Sequence, residues 1–123
     1  MLYLFDTSIW IDHFRVGHPG LQAALEQDQA LTHSRVVGEL AVGSIPRRQT
    51  TIDSLLLLPF APEIQLRELL RFIERFRLYS RGLSLVDVEL IASALVAEAR
   101  LITLDRKLRA AWKAVILREQ RRL

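Results

Sequence analysis

The chain opens with an apolar run that stops at an acidic residue. Leu2–Phe5 is entirely apolar, and Asp6 follows it directly. A continuous apolar run of this length is typical of a strand that is buried on both faces of a parallel sheet. Polar side chains suited to helix capping come next, and Ile9, Trp10 and Phe14 then follow at helical spacing. The pattern therefore predicts a strand, an acidic turn and a helix.

Short apolar runs and helical stretches alternate along the rest of the chain. Further strands are predicted at residues 30–32, 101–104 and 115–117. Helices are predicted around residues 21–25, from Ser34, across 45–58, over 63–79, from Ser84 and after Asp105, although 55–58 also suits a strand. The signal over 63–79 is the longest, and Gly82 is placed to end that helix. Strands that alternate with helices predict an α/β sandwich with a mainly parallel sheet.

The composition narrows the class of protein. A chain of 123 residues, half of them hydrophobic, fits a single domain over residues 1–123 with a sizeable core. The absence of cysteine excludes disulfides, thiolate metal sites and cysteine nucleophiles, and it suits a reducing cytoplasm. No apolar run is long enough for a signal peptide or a membrane span, so we expect a cytoplasmic protein. The formal charge of +3 suits a polyanionic partner and a merely solvated surface equally well.

Acidic residues follow two of the predicted strands. Asp6 and Asp105 each come where an apolar run ends, so both are expected at the same edge of the sheet. Asp87 lies in the first turn of a predicted helix, and Glu39 lies within another. Converging carboxylates are the ligands that Mg²⁺ and Mn²⁺ prefer, and a bound cation would offset their mutual repulsion. The four acids therefore predict a metal site.

Each acid also has a structural explanation. Asp6 and Asp105 are placed to cap the helices that follow them. Asp87 stands three residues after Ser84, as in a capping box, and Glu39 suits an ordinary exposed helix position. From the residues alone, the structural and the metal-binding roles both stay open.

Four segments, taken together, resemble the motifs of one known family. They are LFDTSIWI at residues 4–11, VGEL at 37–40 with a glycine at 43, RGLSLVDVELIASA at 81–94, and LITLDRKL at 101–108. Their order and spacing resemble PIN-domain proteins, specifically the VapC-type toxin ribonucleases of type II toxin–antitoxin systems. The resemblance covers essentially the whole chain. It implies a three-layer PIN fold, with a mainly parallel sheet of four or five strands flanked by helices.

The resemblance also implies an activity and a set of site residues. The activity is Mg²⁺- or Mn²⁺-dependent hydrolysis of RNA phosphodiester bonds by metal-activated water, which leaves a 5′-phosphate. Asp6, Asp87 and Asp105 would be the main metal ligands, and Glu39 would complete the catalytic acids. Ser8 and Thr103 match positions that support the site through hydroxyl contacts. Arg106 and Lys107 are candidates for contact with RNA phosphate, and a solvated role suits them equally well.

Proteins of this kind form homodimers and are silenced by a cognate antitoxin that covers the groove leading to the acids. Ile9, Trp10 and Phe14 are candidate antitoxin contacts, and packing in the core is the alternative for each.

Glu89 stands where many relatives have an apolar or small residue. It is left out of the site because it is two residues from Asp87 and faces elsewhere on the helix.

Several features match no motif or support other functions. Residues 44–58 resemble no family motif, and His13, His18 and His33 share no metal-ligand spacing. One rival hypothesis is a catalytically inactive PIN-fold module that binds a metal or a protein partner. Another is a receiver-like domain, but its only candidate phosphoacceptor, Asp53, does not follow an apolar run. The sequence does not indicate which RNA is cut.

Overall fold

The computed structural model describes residues 1–121. Within them, three strands and seven helices alternate in the following order: β1 (Leu2–Phe5), α1 (Thr7–Val16), α2 (Pro19–Glu26), β2 (Ala30–Leu31), α3 (Ser34–Val42), α4 (Arg48–Leu56), α5 (Leu66–Phe76), α6 (Leu85–Val96), β3 (Ala99–Ile102) and α7 (Arg106–Gln120). The predicted α/β architecture is confirmed, with helices flanking a parallel sheet.

The sheet has the strand order β2-β1-β3, and both strand pairs are parallel. Leu4 at its centre aligns with Leu31 on one side and with Leu101 on the other. β1 is thus the middle strand, so the turn after it lies between the ends of its two neighbours. That placement decides which side chains can meet Asp6.

The core lies against the sheet and around α6. The sequence of α6 is apolar on nearly all sides, because the helix packs against β3 on one side and α5 on another. Leu4, Ile91 and Ala94 have no exposed surface at all. The strand predicted at Leu2–Phe5 is confirmed, but only its second half is buried, and Leu2 is exposed.

The sheet is narrower than predicted. Among residues 1–121 it has three strands and not four or five, and the predicted strand at 115–117 lies inside α7. Val115 packs into the core one helical turn after Trp112 and Ala111. This apolar run therefore continues the buried face of a helix and does not form a strand. No glycine or proline stands between Asp105 and the end of the chain to stop the helix. Thr32 and Phe60 form an isolated parallel bridge beside β2.

The helix predicted over residues 63–79 is shorter in the structure. α5 covers only Leu66–Phe76 and ends at Arg77, which adopts a left-handed conformation with φ of 52°. Gly82 therefore does not end that helix, and it lies instead in the connection to α6. The helix predicted from Ser34 begins there and is capped by His33, whose side chain accepts a hydrogen bond from the backbone N–H of Arg35. α7, with 15 residues, is the longest helix described.

Residues 55–58 end a helix and do not form a strand, since α4 runs to Leu56. None of the helices described within residues 1–121 combines the length and apolar character that crossing a bilayer requires.

Candidate active site

Asp6 is the most buried of the four predicted acids, with 6% of its surface exposed. It ends β1 and caps α1, because its Oδ1 accepts a hydrogen bond from the backbone N–H of Ile9 at 3.3 Å. The Ser8 hydroxyl donates to the same oxygen at 2.5 Å. The Thr103 hydroxyl donates to Oδ2. Two hydroxyl groups therefore fix the orientation of this carboxylate.

The same two hydroxyl groups connect the turn after β1 to the turn after β3. The Thr103 hydroxyl accepts from the backbone N–H of Asp105 at 3.0 Å. The Ser8 hydroxyl accepts from the backbone N–H of Leu104, also at 3.0 Å. Asp105 is exposed and caps α7, where its Oδ1 accepts from the N–H of Leu108 at 3.1 Å. Asp6 and Asp105 thus lie at one edge of the sheet, joined through Thr103.

Glu39 reaches this edge from α3. Its Oε1 accepts a hydrogen bond at 3.0 Å from the hydroxyl of Thr7, the residue after Asp6. The glutamate is exposed on the helix surface, while its neighbours Val37 and Leu40 are buried. The helix therefore places Glu39 on the side of α3 that faces the turn between β1 and α1.

Asp87 is half-buried in the first turn of α6 and forms the predicted capping box with Ser84. Its Oδ2 accepts from the backbone N–H of Ser84 at 3.0 Å, and its own N–H donates to the Ser84 hydroxyl at 3.1 Å. Lys107 of α7 lies against Gly82 just before this turn, so close that a Cβ at Gly82 would stand 2.9 Å from the Lys107 Nζ. The Lys107 side chain therefore reaches from the first turn of α7 to the connection that precedes α6.

We call Asp6, Glu39, Asp87 and Asp105 together the acidic edge. Its donors are carboxylate and hydroxyl oxygens, the chemistry that Mg²⁺ and Mn²⁺ favour. Within the described residues, no three aspartate, glutamate or histidine side chains are grouped so as to hold a metal ion. The donor set fits such a cation in its chemistry, and each carboxylate is at present engaged with hydroxyl or backbone groups.

Glu89 has a role that the sequence did not reveal. It is 97% buried, with 3% of its surface exposed, and it connects three parts of the fold. Its Oε1 accepts from Arg35 Nε of α3 at 3.2 Å, and its Oε2 accepts from the backbone N–H of Ile64 at 3.0 Å. Excluding it from the acidic edge on helix geometry agrees with these contacts. The available signal was an acid within an otherwise apolar helix, which indicates a buried and paired charge.

His33 lies beside Glu89 and is fully buried. Burial lowers the pKa of His33 below its usual value, and the nearby carboxylate of Glu89 opposes this effect only in part. Its Nδ1 accepts the N–H of Arg35, so the proton of the neutral ring is on Nε2. Nε2 is 3.1 Å from the Ser93 hydroxyl, which itself donates to the carbonyl of Pro62 at 2.6 Å. The ring therefore donates to Ser93 Oγ, and this histidine is a structural residue with a specific tautomer.

Comparison with known proteins places this arrangement in a family. The model of the PIN domain matches residues 3–113, a range that includes all four acids. The chain belongs to the PIN domain family. Over 111 residues it is 44% identical to Ribonuclease VapC32 from two strains of Mycobacterium tuberculosis, and the match covers 89% of this chain and 90% of that relative. The predicted resemblance to VapC-type PIN proteins is confirmed.

Comparison with solved structures also finds a similar fold. The crystal structure of PAE2754 from Pyrobaculum aerophilum matches with a TM-score of 0.59 over 90% of this chain and 79% of that chain. The sequence identity is 18%, so this likeness concerns the fold alone. A PIN fold is thus retained here with three strands in the described sheet.

Proposed function

We propose that this chain is the toxin of a VapBC-type toxin–antitoxin pair, a Mg²⁺-dependent endoribonuclease of the cytoplasm. The observation that carries the proposal is the 44% identity, over nine-tenths of both chains, to a protein named as a ribonuclease. The connection of Asp6 to Asp105 through Thr103 supports it, because a hydrolytic metal site needs acids from separate elements at one edge.

Asp6, Asp87 and Asp105 would hold the metal ion, with Mn²⁺ as a substitute for Mg²⁺. When bound, such an ion lowers the pKa of water and neutralises charge on the phosphate. Ser8 and Thr103 hold the Asp6 carboxylate in one orientation, which reduces the rearrangement that binding requires. Those two hydroxyls are therefore positioning groups, as the family resemblance implies.

Glu39 would act next to these ligands as the fourth catalytic acid. It is exposed, and its one hydrogen bond described is the contact with Thr7. An exposed carboxylate at this position can accept a proton from a water molecule close to the site. Arg106 and Lys107 begin α7 directly after Asp105, and both are exposed. Their charges place two cations where the RNA phosphate would approach.

An antitoxin is the proposed protein partner, and a homodimer the proposed assembly. A cleft of about 300 Å³ opens beside α1, with Trp10, Phe14, Leu25 and Leu55 among its lining residues. Trp10 is buried, and its indole Nε1 has no hydrogen-bond partner in the described part of the chain. The exposed lining of the cleft is mainly apolar, which suits an apolar face of the antitoxin. Ile9 and Trp10 both belong to the hydrophobic core, and Phe14 packs against it.

The activity is tested with the purified full chain and total RNA, with Mg²⁺, with Mn²⁺ and with a chelator. We expect cleavage that the chelator abolishes, and we expect Asp6→Asn to reduce the rate by roughly a hundredfold or more. Asparagine keeps the capping oxygen, so this variant should remain folded. Asp12→Asn is the matched control, since it removes a half-buried acid of the same helix that lies outside the acidic edge and pairs with the exposed Arg15.

Two results would contradict the proposal. One is cleavage that continues undiminished in a folded Asp6→Asn variant, which would separate the activity from the acidic edge. The other is intact RNA with the wild-type chain in both metals, while an antitoxin still binds it. That outcome would favour the rival hypothesis of an inactive PIN-fold binding module.

A further inference from the structure

The charge of α7 has one sign over most of its length. Its residues from 106 to 118 include five basic side chains and no acidic one. α5, another surface helix, has three arginines and two glutamates. Helices whose charged face only meets water usually mix both signs, because oppositely charged neighbours stabilise each other. The charge of α7 therefore needs another explanation.

The position of these charges on the helix is unfavourable in isolation. Arg106 and Lys107 occupy the first two helical positions, and Arg109 the fourth. The N-terminal end of a helix has a partial positive charge, so cations in the first turn destabilise the helix and anions stabilise it. The first turn of α7 contains no acid of its own, and the helix is capped by the carboxylate of Asp105. An external anion would reverse the unfavourable balance.

The basic side chains are free to meet such an anion. Arg106, Lys107 and Lys113 are exposed, and within residues 1–121 none of them takes part in an ion pair or a hydrogen bond. Arg109 donates one N–H to the carbonyl of Thr103 at 2.9 Å. A guanidinium group has five such donors, so most of those of Arg109 are left for other acceptors.

Three of the basic residues share one face of the helix and lead to the acidic edge. Arg106, Arg109 and Lys113 are three and four residues apart, which brings their side chains together on the helix surface. The opposite face of α7 is buried and consists of Leu108, Ala111, Trp112 and Val115. Since α7 begins at Asp105, the basic face starts at the acidic edge and runs about 10 Å along the helix.

We propose that Arg106, Arg109 and Lys113, the basic stripe of α7, bind the phosphate backbone of the RNA substrate next to the bond that is cut. This inference rests on the proposed function and extends its phosphate contacts from the start of α7 to Lys113. Contacts of this kind recognise phosphate charge and not base identity. The stripe therefore holds RNA across the acidic edge whatever its sequence.

The test measures binding of a short fluorescent RNA to the full-length chain by anisotropy, in a chelator so that no RNA is cut. Lys113→Gln is the main variant, because Lys113 is exposed and has no described contact whose loss would disturb the fold. We expect its dissociation constant to rise roughly threefold or more for two RNAs of unrelated sequence alike. The slope of log affinity against log salt should fall by about one.

Arg67→Gln is the matched control, since it removes one positive charge from an exposed position on α5. We expect it to bind RNA like the wild type. The proposal is overturned if Lys113→Gln binds like the wild type, or if both variants weaken binding equally, which would show a response to net charge alone. Cleavage in Mg²⁺ is measured separately, so a wild-type chain that binds RNA without cutting it contradicts the proposed activity and not the stripe.

Discussion

Asp6 can serve as a helix cap and as a metal ligand at the same time. An ionised carboxylate offers about four acceptor positions. The Ser8 hydroxyl and the N–H of Ile9 use two positions on Oδ1, and the Thr103 hydroxyl uses one on Oδ2. One position on Oδ2 is left for a cation. The structural and the metal-binding roles that the sequence left open for this residue are therefore compatible.

The other acids keep more of their acceptor positions. Asp105 accepts one described hydrogen bond on Oδ1, and Asp87 accepts one on Oδ2. Helix capping thus explains where these carboxylates lie without using up their oxygens. Capping by itself does not distinguish a ligand from a structural acid, and this is why the sequence could not decide between the two roles.

Gly82 is the residue at which a single added carbon should disturb the site. Its φ of 73° is strained for any residue with a side chain, and a Cβ there would meet Lys107. We expect Gly82→Ala to lower the free energy of unfolding by about 1 kcal/mol or more, as measured by urea denaturation. Lys107 would also be displaced from the start of α6.

Gly38 provides the matched control for this prediction. It lies inside α3, and a Cβ there would meet nothing within 4 Å. Gly38→Ala should raise the free energy of unfolding by roughly 0.5–1 kcal/mol, because alanine favours the helix and restricts the unfolded chain. Equal effects of the two substitutions would show that neither the left-handed conformation nor the Lys107 contact matters.

Among the secondary-structure elements, α7 is where the predicted strand and the observed helix differ most in which side chains they bury. A strand at residues 115–117 would point Val115 and Leu117 to the same face, whereas a helix separates them. Val115 is 1% exposed and Leu117 is 54% exposed. We expect Val115→Ala to lower the free energy of unfolding by roughly 1–3 kcal/mol and Leu117→Ala to change it by less than about 0.5 kcal/mol. Similar losses in both variants would contradict the helix.

The sequence predicted best those elements whose local signals agree with their packing. β1 is apolar throughout and ends at a capping aspartate, and α6 begins with a capping box. Val115 to Leu117 have strand-like composition and also continue the helical spacing of Leu108 and Trp112. Burial against the core favoured the helix, and that contact cannot be derived from one sequence. The same holds for Glu89, whose partners lie 25 and 54 residues away.

The contacts of His33 make the stability of α3 and α6 depend on pH. Because burial lowers its pKa in the folded state, the folded chain binds the proton less readily than the unfolded chain does. The stability contributed by the neutral ring is therefore fully present above about pH 6.5, the ordinary value for histidine. It is lost as the pH falls from there toward the lower pKa of the folded state. Glu89, Glu63 and Arg35 are the charged groups that act on the ring.

We expect the free energy of unfolding of the wild type to decrease between pH 7 and pH 5 more steeply than that of His33→Gln. Urea denaturation at several pH values measures both, and their difference isolates His33 from His13 and His18. The variant should also be less stable at pH 7, since the contact with Ser93 is altered. Parallel pH profiles for the two proteins would exclude a lowered pKa of His33.

At the scale of the whole molecule, the fold connects Asp6 to Asp105 through Thr103 and brings Glu39 into contact with Thr7, and a basic helix begins directly after Asp105. Asp6 follows β1, Glu39 comes from α3, Asp87 from α6, and Asp105 joins β3 to α7. Parallel strands made the positions of Asp6 and Asp105 predictable, because both follow strands that end at the same edge. Glu39 and Asp87 required the family resemblance, since helix packing is not readable from one sequence.

This convergence predicts that Mg²⁺ stabilises the folded chain. A ligand that binds only the folded state adds roughly 1.4 kcal/mol when its concentration is ten times its dissociation constant. For a domain of this size that corresponds to a rise of about 5 °C in the melting temperature. Thermal unfolding with and without Mg²⁺ should show this rise for the wild type and for Asp12→Asn. Asp6→Asn should lose most of it while melting in the chelator remains cooperative. An equal rise in Asp6→Asn and the wild type would mean that the cation binds away from the acidic edge, whatever the RNA cleavage assay shows.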